Sequence, residues 1–310
     1  MQLITNQLGL RPLPHCAVAL GSFDGLHRGH IALIEQMKNA ARKRGLASCV
    51  YTFDRHPSYL KSNSPVALLT PLPLKLQLLE EMGIEYVYIE HVTPAYFDLK
   101  PEDFVQKILW QTCRASFVTV GFNYRFGKNK SGTPERLQEL CRQYDMGCYI
   151  QTPVLYGGIP VSSTRVRSLV TQGDLPAANL LLGHPFAVCG LIAHGHQRGR
   201  TLLGFPTANL YPAPTLQLPP NGVYRTLAKI DGVSYPSVTN VGMVPTFGEK
   251  RLSIETHLLS FDGDLYGRQM KVEFLQNIRF EQKFDGADAL RRQIEQDKQT
   301  ALSLFGKENL

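Results

Sequence analysis

Val18–His30 reads VALGSFDGLHRGH, and its two halves obey different periodicities. The apolar run from Cys16 to Leu20 has the length and texture of a buried strand. It breaks at Gly21-Ser22, passes through Phe23-Asp24-Gly25, and enters a segment that reads as a helix from Leu26 to Arg44. Asp24 is placed to cap that helix, its carboxylate accepting from backbone N–H groups that otherwise lack partners. His27 and His30 are three apart and share one face of the first turn. Gly29 between them removes a side chain that would block close approach by a ligand. A strand, a tight glycine-rich turn and a helix N-terminus together make an anion site. Two imidazoles there can donate hydrogen bonds to the charge that develops as a phosphoryl or nucleotidyl group transfers. The other readings of an H-x-x-H pair are a metal site and two idle surface histidines. A metal wants further ligands, and zinc proteases space their histidines as H-E-x-x-H.

With 310 residues the chain exceeds one ordinary domain, and its 43% hydrophobic residues suffice for proper cores. Six cysteines, at 16, 49, 113, 141, 148 and 189, form no C-x-x-C and no Cys/His cluster. They read as reduced thiols of a cytoplasmic protein. No apolar run approaches membrane-spanning length, and MQLITNQLGLRPLP has neither the basic nor the apolar region of a signal peptide, so no membrane partner is expected. The net charge is +7, yet the one dense basic run is Arg42-Lys43-Arg44, at a helix end where cations suit the dipole. A modest positive surplus fits an enzyme for anionic substrates, and no nucleic-acid partner is expected.

Beyond the first helix, Leu46–Phe53, Ile84–Ile89, Ala115–Val120 and Cys148–Val154 read as strands. Leu72–Met82, Pro101–Trp110 and Pro134–Asp145 read as helices between them. This alternation predicts a parallel, doubly wound sheet with ligands beyond the carboxyl ends of its strands. Two strings fall in that region. Gly121–Gly127, GFNYRFG, follows a strand directly and is a turn or a site. Ser162–Arg167, SSTRVR, opens a helix; its hydroxyls are first of all caps, while two hydroxyls and two arginines there also make a triphosphate clamp.

Near Leu180–Pro185 the texture changes to short β-rich runs: Phe186–Ala193, Gly222–Ile230, Tyr235–Val241, Ser253–Ser260 and Gln269–Leu275. Turns such as Asp231-Gly232 and Asp262-Gly263 divide them, which predicts a small barrel, closed by a helix over Ala287–Phe305. Within it, Gly199–Asn209 (GRTLLGFPTAN) is either an ordinary turn or a set of backbone and side-chain oxygens suited to hydrated Mg²⁺. Glu255, in Ile254–Leu258, is either a solvated strand carboxylate or a general base on an alcohol.

The string GSFDGLHRGH resembles the signature of the HxGH nucleotidyltransferases. Followed by GFNYRFG, SSTRVR and LLGHPF, it resembles the adenylyltransferase half of the bacterial bifunctional riboflavin kinase/FMN adenylyltransferases (FAD synthetases). GFPTANL, NGVY, NVGMVPTF, ETHLL, DLYGR and IRFEQKF resemble the riboflavin kinase module in matching order. The resemblance implies a Rossmann-like α/β nucleotidyltransferase domain over residues 1–183 and a riboflavin kinase-like β-barrel with a closing helix over 184–310. It implies nucleotide contacts by Gly21, Phe23, Asp24, His27, His30, Asn123, Ser163, Thr164 and Arg167 in the first, and by Gly204, Thr207 and Asn209 in the second. Thr207 and Asn209 would hold Mg²⁺, and Glu255, His27 and His30 would be catalytic. Riboflavin, FMN and ATP are the partners implied. The sequence departs from the family at Arg55, where proline is common, and in GRTLLGFP, one residue longer than usual. Two rivals remain: a nucleotidyltransferase such as a cytidylyltransferase leaves ETHLL unemployed, and a non-catalytic flavin-binding protein leaves His27, His30 and Glu255 without work.

Overall fold

The computed structural model describes residues 1–5, 13–60, 66–193, 207–245, 250–259, 261, 263 and 265–307. Two compact units divide between Ser163 and Thr164. The first contains β1 (Gln2–Thr5), β2 (Cys16–Leu20), α1 (Arg28–Arg44), β3 (Ala47–Phe53), α2 (Leu72–Glu81) and β4 (Tyr86–Glu90). It continues through α3 (Pro94–Phe97), α4 (Pro101–Asp103), a π-helix (Phe104–Thr112), β5 (Ala115–Gly121), α5 (Pro134–Arg142), β6 (Gly147–Gln151) and a small hairpin of β7 (Leu155–Tyr156) and β8 (Ile159–Pro160).

Strands β1 to β6 form one parallel sheet in the order β1-β4-β3-β2-β5-β6. All five residues of β2 are buried, as a central parallel strand requires. From β2 the chain winds toward β3 and β4 on one side, while β5 pairs on the other, so the winding reverses between β2 and β5. In such sheets that reversal opens a crevice at the carboxyl ends of the strands, where Gly21 and Gly121 lie. Leu33, Ile34, Met37 and Ala41 of α1 are buried, and the helix stops at Gly45, whose φ of 63° is left-handed and whose N–H bonds Ala41.

Two expected elements differ, and one strand was not expected. The first helix starts at Arg28, because Leu26 has φ 43° and cannot join a right-handed turn. The segment expected as an α-helix over Pro101–Trp110 becomes a π-helix after one short turn, with Cys113 N bonded to Ile108 O at 2.8 Å. Its wider winding brings Phe104 and Leu109, five apart, to the same buried side. Gln2–Thr5 is a sheet-edge strand that four residues of mixed polarity did not announce.

The second unit begins with α6 (Ser163–Gln172, whose first residue belongs to the first unit) and α7 (Leu175–Leu182). Strands β9 (Phe186–Leu191), β10 (Ala208–Leu210), β11 (Gly222–Ile230), β12 (Val233–Pro245), β13 (Lys250–Leu258) and β14 (Gln269–Phe280) follow, then α8 (Ala287–Lys307). The strands form one antiparallel sheet in the order β10-β13-β12-β11-β14-β9, curled until its edges touch where Ala193 N bonds Asn209 O at 2.9 Å. Curling covers two otherwise unpaired edges. Asn179 explains why α7 clusters with this sheet: its amide donates to Phe274 O at 2.9 Å and accepts from Phe186 N at 2.7 Å. Helix α8 is held by Asp297, which receives Arg279 Nε and Nη2 at 2.9–3.1 Å and Gln293 Nε2 at 2.9 Å. All six cysteines are free thiols, and among the described residues no helix is long and apolar enough to cross a membrane.

Gly222 lies where β11 meets a bulge in β14, and a Cβ there would sit 2.5 Å from Arg279 O, a backbone atom that cannot swing away. Gly222→Ala should therefore cost about 1–3 kcal/mol of overpacking, read as a lowered thermal midpoint of the second unit.

Candidate active sites

The turn after β2 is strained. Phe23, Gly25 and Leu26 have φ of 50°, 87° and 43°. For the two non-glycine residues such values cost about 1–3 kcal/mol each and persist where surroundings enforce them. Here they do. Asp24 is 2% exposed, and its Oδ1 accepts from Leu69 N at 2.9 Å and Thr70 N at 3.0 Å. Gly25 N donates to Thr70 Oγ1 at 3.0 Å. Ser22 O accepts from Lys75 Nζ at 2.7 Å and Thr52 Oγ1 at 3.1 Å. Ser163 Oγ donates to Asp24 O at 2.8 Å.

Asp24 is therefore not the cap of α1. Its carboxylate is committed to the segment before α2, and the cap is His27, whose Nδ1 accepts from His30 N at 3.3 Å. An acceptor Nδ1 puts the His27 proton on Nε2. The rings of His27 and His30 stack at 3.7 Å and 14°, and the Phe23 ring meets His30 edge-on at 5.3 Å. Gly29 makes room for the His27 ring, since a Cβ there would lie 3.1 Å from its Cε1. Gly21 likewise sits against the Phe23 ring, 3.1 Å from Cζ. Burial, then the His27 ring and the Lys75 charge, hold His30 well below its usual value, so it is neutral at pH 7. His30 Nδ1 is buried with no hydrogen-bond partner among the described residues.

Gly21, Phe23, Asp24, His27, His30 and Ser163 are thus gathered in the first unit at the carboxyl end of β2. Asn123 is exposed just past β5, the neighbour of β2, with its Oδ1 3.4 Å from where a Gly121 Cβ would be. Thr164 is exposed and Arg167 half-buried on α6, in the second unit. Lys75, Thr52 and Thr70 escaped the sequence reading. A lysine inside an amphipathic helix looks like any solvated lysine until packing buries it; here it is 7% exposed.

In the second unit, Glu255 on β13 is directly opposite Asn209 on β10 and Asn240 on β12. Residues opposite one another across an antiparallel pair share a face, so one carboxylate is flanked by two carboxamides. Alternation sends Thr256 and Thr239 to the other face, where Thr226, Ser237, Thr239 and Thr256 are fully buried and bond one another at 2.7–3.0 Å. Asn209 is 4% exposed, with Nδ2 donating to Thr207 O at 3.3 Å. Gly204 and the GRTLLGFP string, apart from its sequence, lie outside the described residues.

The neutral state of His30 has a consequence for stability. The unfolded chain takes up a proton near pH 6.5 and the folded chain only well below it, so unfolded chains bind more protons in that window. Stability should therefore fall as pH drops from 7 toward 5. Thermal melts across that range should show less of this fall in His30→Gln than in the wild type.

Residues 11–165 match the family model described as FAD synthetase, and residues 182–305 match that of riboflavin kinase. The chain is 36% identical over 293 residues to the bifunctional riboflavin kinase/FMN adenylyltransferase of Bacillus subtilis (strain 168), covering 93% of this chain and 92% of that one. Its counterpart of the same name in Escherichia coli (strain K12) is 36% identical over 303 residues, with 97% and 96% covered. A solved chain from Streptococcus pneumoniae, described as a macrolide-efflux protein, superposes with a TM-score of 0.83 at 30% identity, covering 96% and 98%. With matches of this length spanning both units, the chain belongs to the family of bifunctional riboflavin kinase/FMN adenylyltransferases.

Proposed function

We propose that this chain converts riboflavin to FMN and then FMN to FAD, consuming ATP in each step at separate sites. The observation that carries the reading is that one chain bears both sets of machinery. A braced turn holds His27 and His30 at the crevice of a parallel sheet, and Glu255 stands between two carboxamides on a curled sheet. We assign the first to residues 1–183 and the second to residues 184–310, in keeping with a riboflavin kinase match that begins at residue 182.

In the kinase step Glu255 accepts the proton of the ribityl 5′-hydroxyl as that oxygen bonds to the γ-phosphorus of ATP. The bond from γ-phosphorus to the bridging oxygen breaks, and ADP leaves. Enzymes of this kind generally work with a divalent metal, and the oxygen donors of Thr207 and Asn209 suit Mg²⁺, a hard cation. Bound there with the nucleotide, Mg²⁺ would supply charge neutralisation at the transferring group. In the adenylyl step an oxygen of the FMN phosphate bonds to the α-phosphorus of a second ATP, and the α–β bridge breaks to release pyrophosphate. His27 donates from Nε2 and His30 as a neutral ring to the charge growing on the leaving group. Ser163, Thr164 and Arg167, with Asn123 near the flavin side, complete the nucleotide contacts. Gly21 and Phe23 shape the wall and Asp24 braces it. Gly204 is assigned to the kinase nucleotide by motif. Six free thiols support a reducing, cytoplasmic setting.

Purified protein incubated with riboflavin, ATP and MgCl₂ should yield FMN, then FAD by chromatography, and neither without Mg²⁺. FMN accumulating with no FAD under excess ATP sinks the adenylyl assignment. Glu255→Gln should slow riboflavin phosphorylation by about 10²–10⁴-fold and leave the FMN-to-FAD rate unchanged. His27→Ala combined with His30→Ala should do the reverse, with a loss of at least about 10²-fold. Wild-type kinase rates in the Gln variant would remove Glu255 from the mechanism.

A further inference from the structure

Lys75 projects from the first turns of α2 beneath the strained turn, and burial leaves it 7% exposed. Its Nζ donates to Ser22 O at 2.7 Å and Thr52 Oγ1 at 3.3 Å, atoms just past β2 and near the end of β3. Among the described residues it makes no ion pair. The carboxylate whose field reaches it, Asp24, is committed to Leu69 N and Thr70 N. Burying an ammonium without a counter-ion carries a desolvation cost that two neutral acceptors offset only in part. Lys75 lines a cleft with Ser22, Asp24, Asp54, Arg55 and His56, open beside the HxGH turn.

We propose that Lys75 is a positioning residue for adenylyl transfer, its charged amine clamping the Ser22 carbonyl so that His27 and His30 stay aimed at the nucleotide. The proposal rests on the reading that FMN is adenylylated in this half. The same charge keeps a proton off His30, where Lys75 is one of three causes lowering the imidazole. Burial lowers Lys75 itself to about 8, against a partial opposing pull from Asp24. Raising the pH through that value releases the clamp's charge while the fold persists. The other titratable groups lining the cleft are Asp24, Asp54 and His56, with Arg55 permanently charged, and the stacked His27 and His30 follow on the same turn; carboxylates and imidazoles ordinarily titrate below about 7. The Cys16 thiol is lowered as well, chiefly by its hydrogen bond with Cys49, but it sits at the opposite end of β2.

The test is the pH dependence of kcat/KM for FMN adenylylation and, in the same preparation, for riboflavin phosphorylation, between pH 6 and 10. Wild type should show an alkaline decline centred near pH 8 in the first reaction and not in the second. Lys75→Met should lower FMN adenylylation by at least about tenfold, lose that decline, and raise the His30 titration followed by NMR of its ring proton. Riboflavin phosphorylation should be untouched. A decline that persists in Lys75→Met belongs to another group and overturns the proposal, as does adenylylation within twofold of wild type. Should the variant not fold, the wild-type profiles decide: a flat adenylylation profile through pH 8 overturns it. Wild type that makes no FAD at any pH overturns the reading of function and this inference with it, whereas FAD made with a flat profile overturns the role of Lys75 alone.

Discussion

The grip of the Asp24 carboxylate on the N–H groups of Leu69 and Thr70 is the constraint on which the first unit's chemistry depends. A Gly-Ser-Phe-Asp-Gly-Leu segment left to itself would not hold Phe23 and Leu26 in left-handed backbone. Charge-assisted hydrogen bonds in a buried setting are strong enough to offset that cost, since each is worth about 1.5–3 kcal/mol net. The bonds from Lys75 and Thr52 to Ser22 O secure the other side of the same turn. The result is that α1 can begin only at Arg28, and the residue before it, His27, becomes its cap. Capping in turn makes Nδ1 the acceptor and puts the proton on Nε2. One carboxylate thereby helps set which imidazole nitrogen carries the proton.

The second unit reaches precision by a different route. No strained turn holds Glu255; the pleat does. Its neighbour Thr256 belongs to a row of buried hydroxyls that satisfy one another, and a one-residue slip of β13 would bury Glu255 and strand those hydroxyls. The row is therefore a register lock, and the opposite face receives Glu255 between Asn209 and Asn240 as a consequence.

Most of the architecture was legible because it follows from periodicity and punctuation. The buried run Cys16–Leu20, the helix ended by Gly45 and the hairpin strand Gly222–Ile230 fell where spacing placed them. Features decided by distant partners were not legible. Asp24 sits where an N-cap would sit, and only Leu69 and Thr70, more than forty residues away in the chain, claim it. Lys75 has the spacing of a surface lysine, and only the closure of α2 over β2 and β3 buries it. The π-helix is likewise a tertiary demand, placing Phe104 and Leu109 in one core. In the second half Glu255 could be singled out by motif, while its flanking Asn240 needed the register of β12.

On the proposed assignment the two sites differ in the one way their nucleophiles require. A ribityl hydroxyl is a neutral alcohol and must lose a proton as it attacks, so its site needs a carboxylate base, and Glu255 stands there among neutral amides that do not compete for the proton. The FMN phosphate is already an anion at neutral pH and needs no base. Its site instead needs donors and fixed positive charge, without acceptors that would repel it. On that assignment the first unit meets the demand by occupying its own carboxylate: Asp24 accepts from the backbone N–H groups of Leu69 and Thr70, the stacked His27 and His30 rings offer donors, and the Lys75 ammonium, bonded to Ser22 O, holds positive charge behind the turn. An unengaged carboxylate in that turn would repel the incoming phosphate, which on this assignment is why one chain making first a phosphoester and then a phosphoanhydride bond from ATP carries two unlike sites.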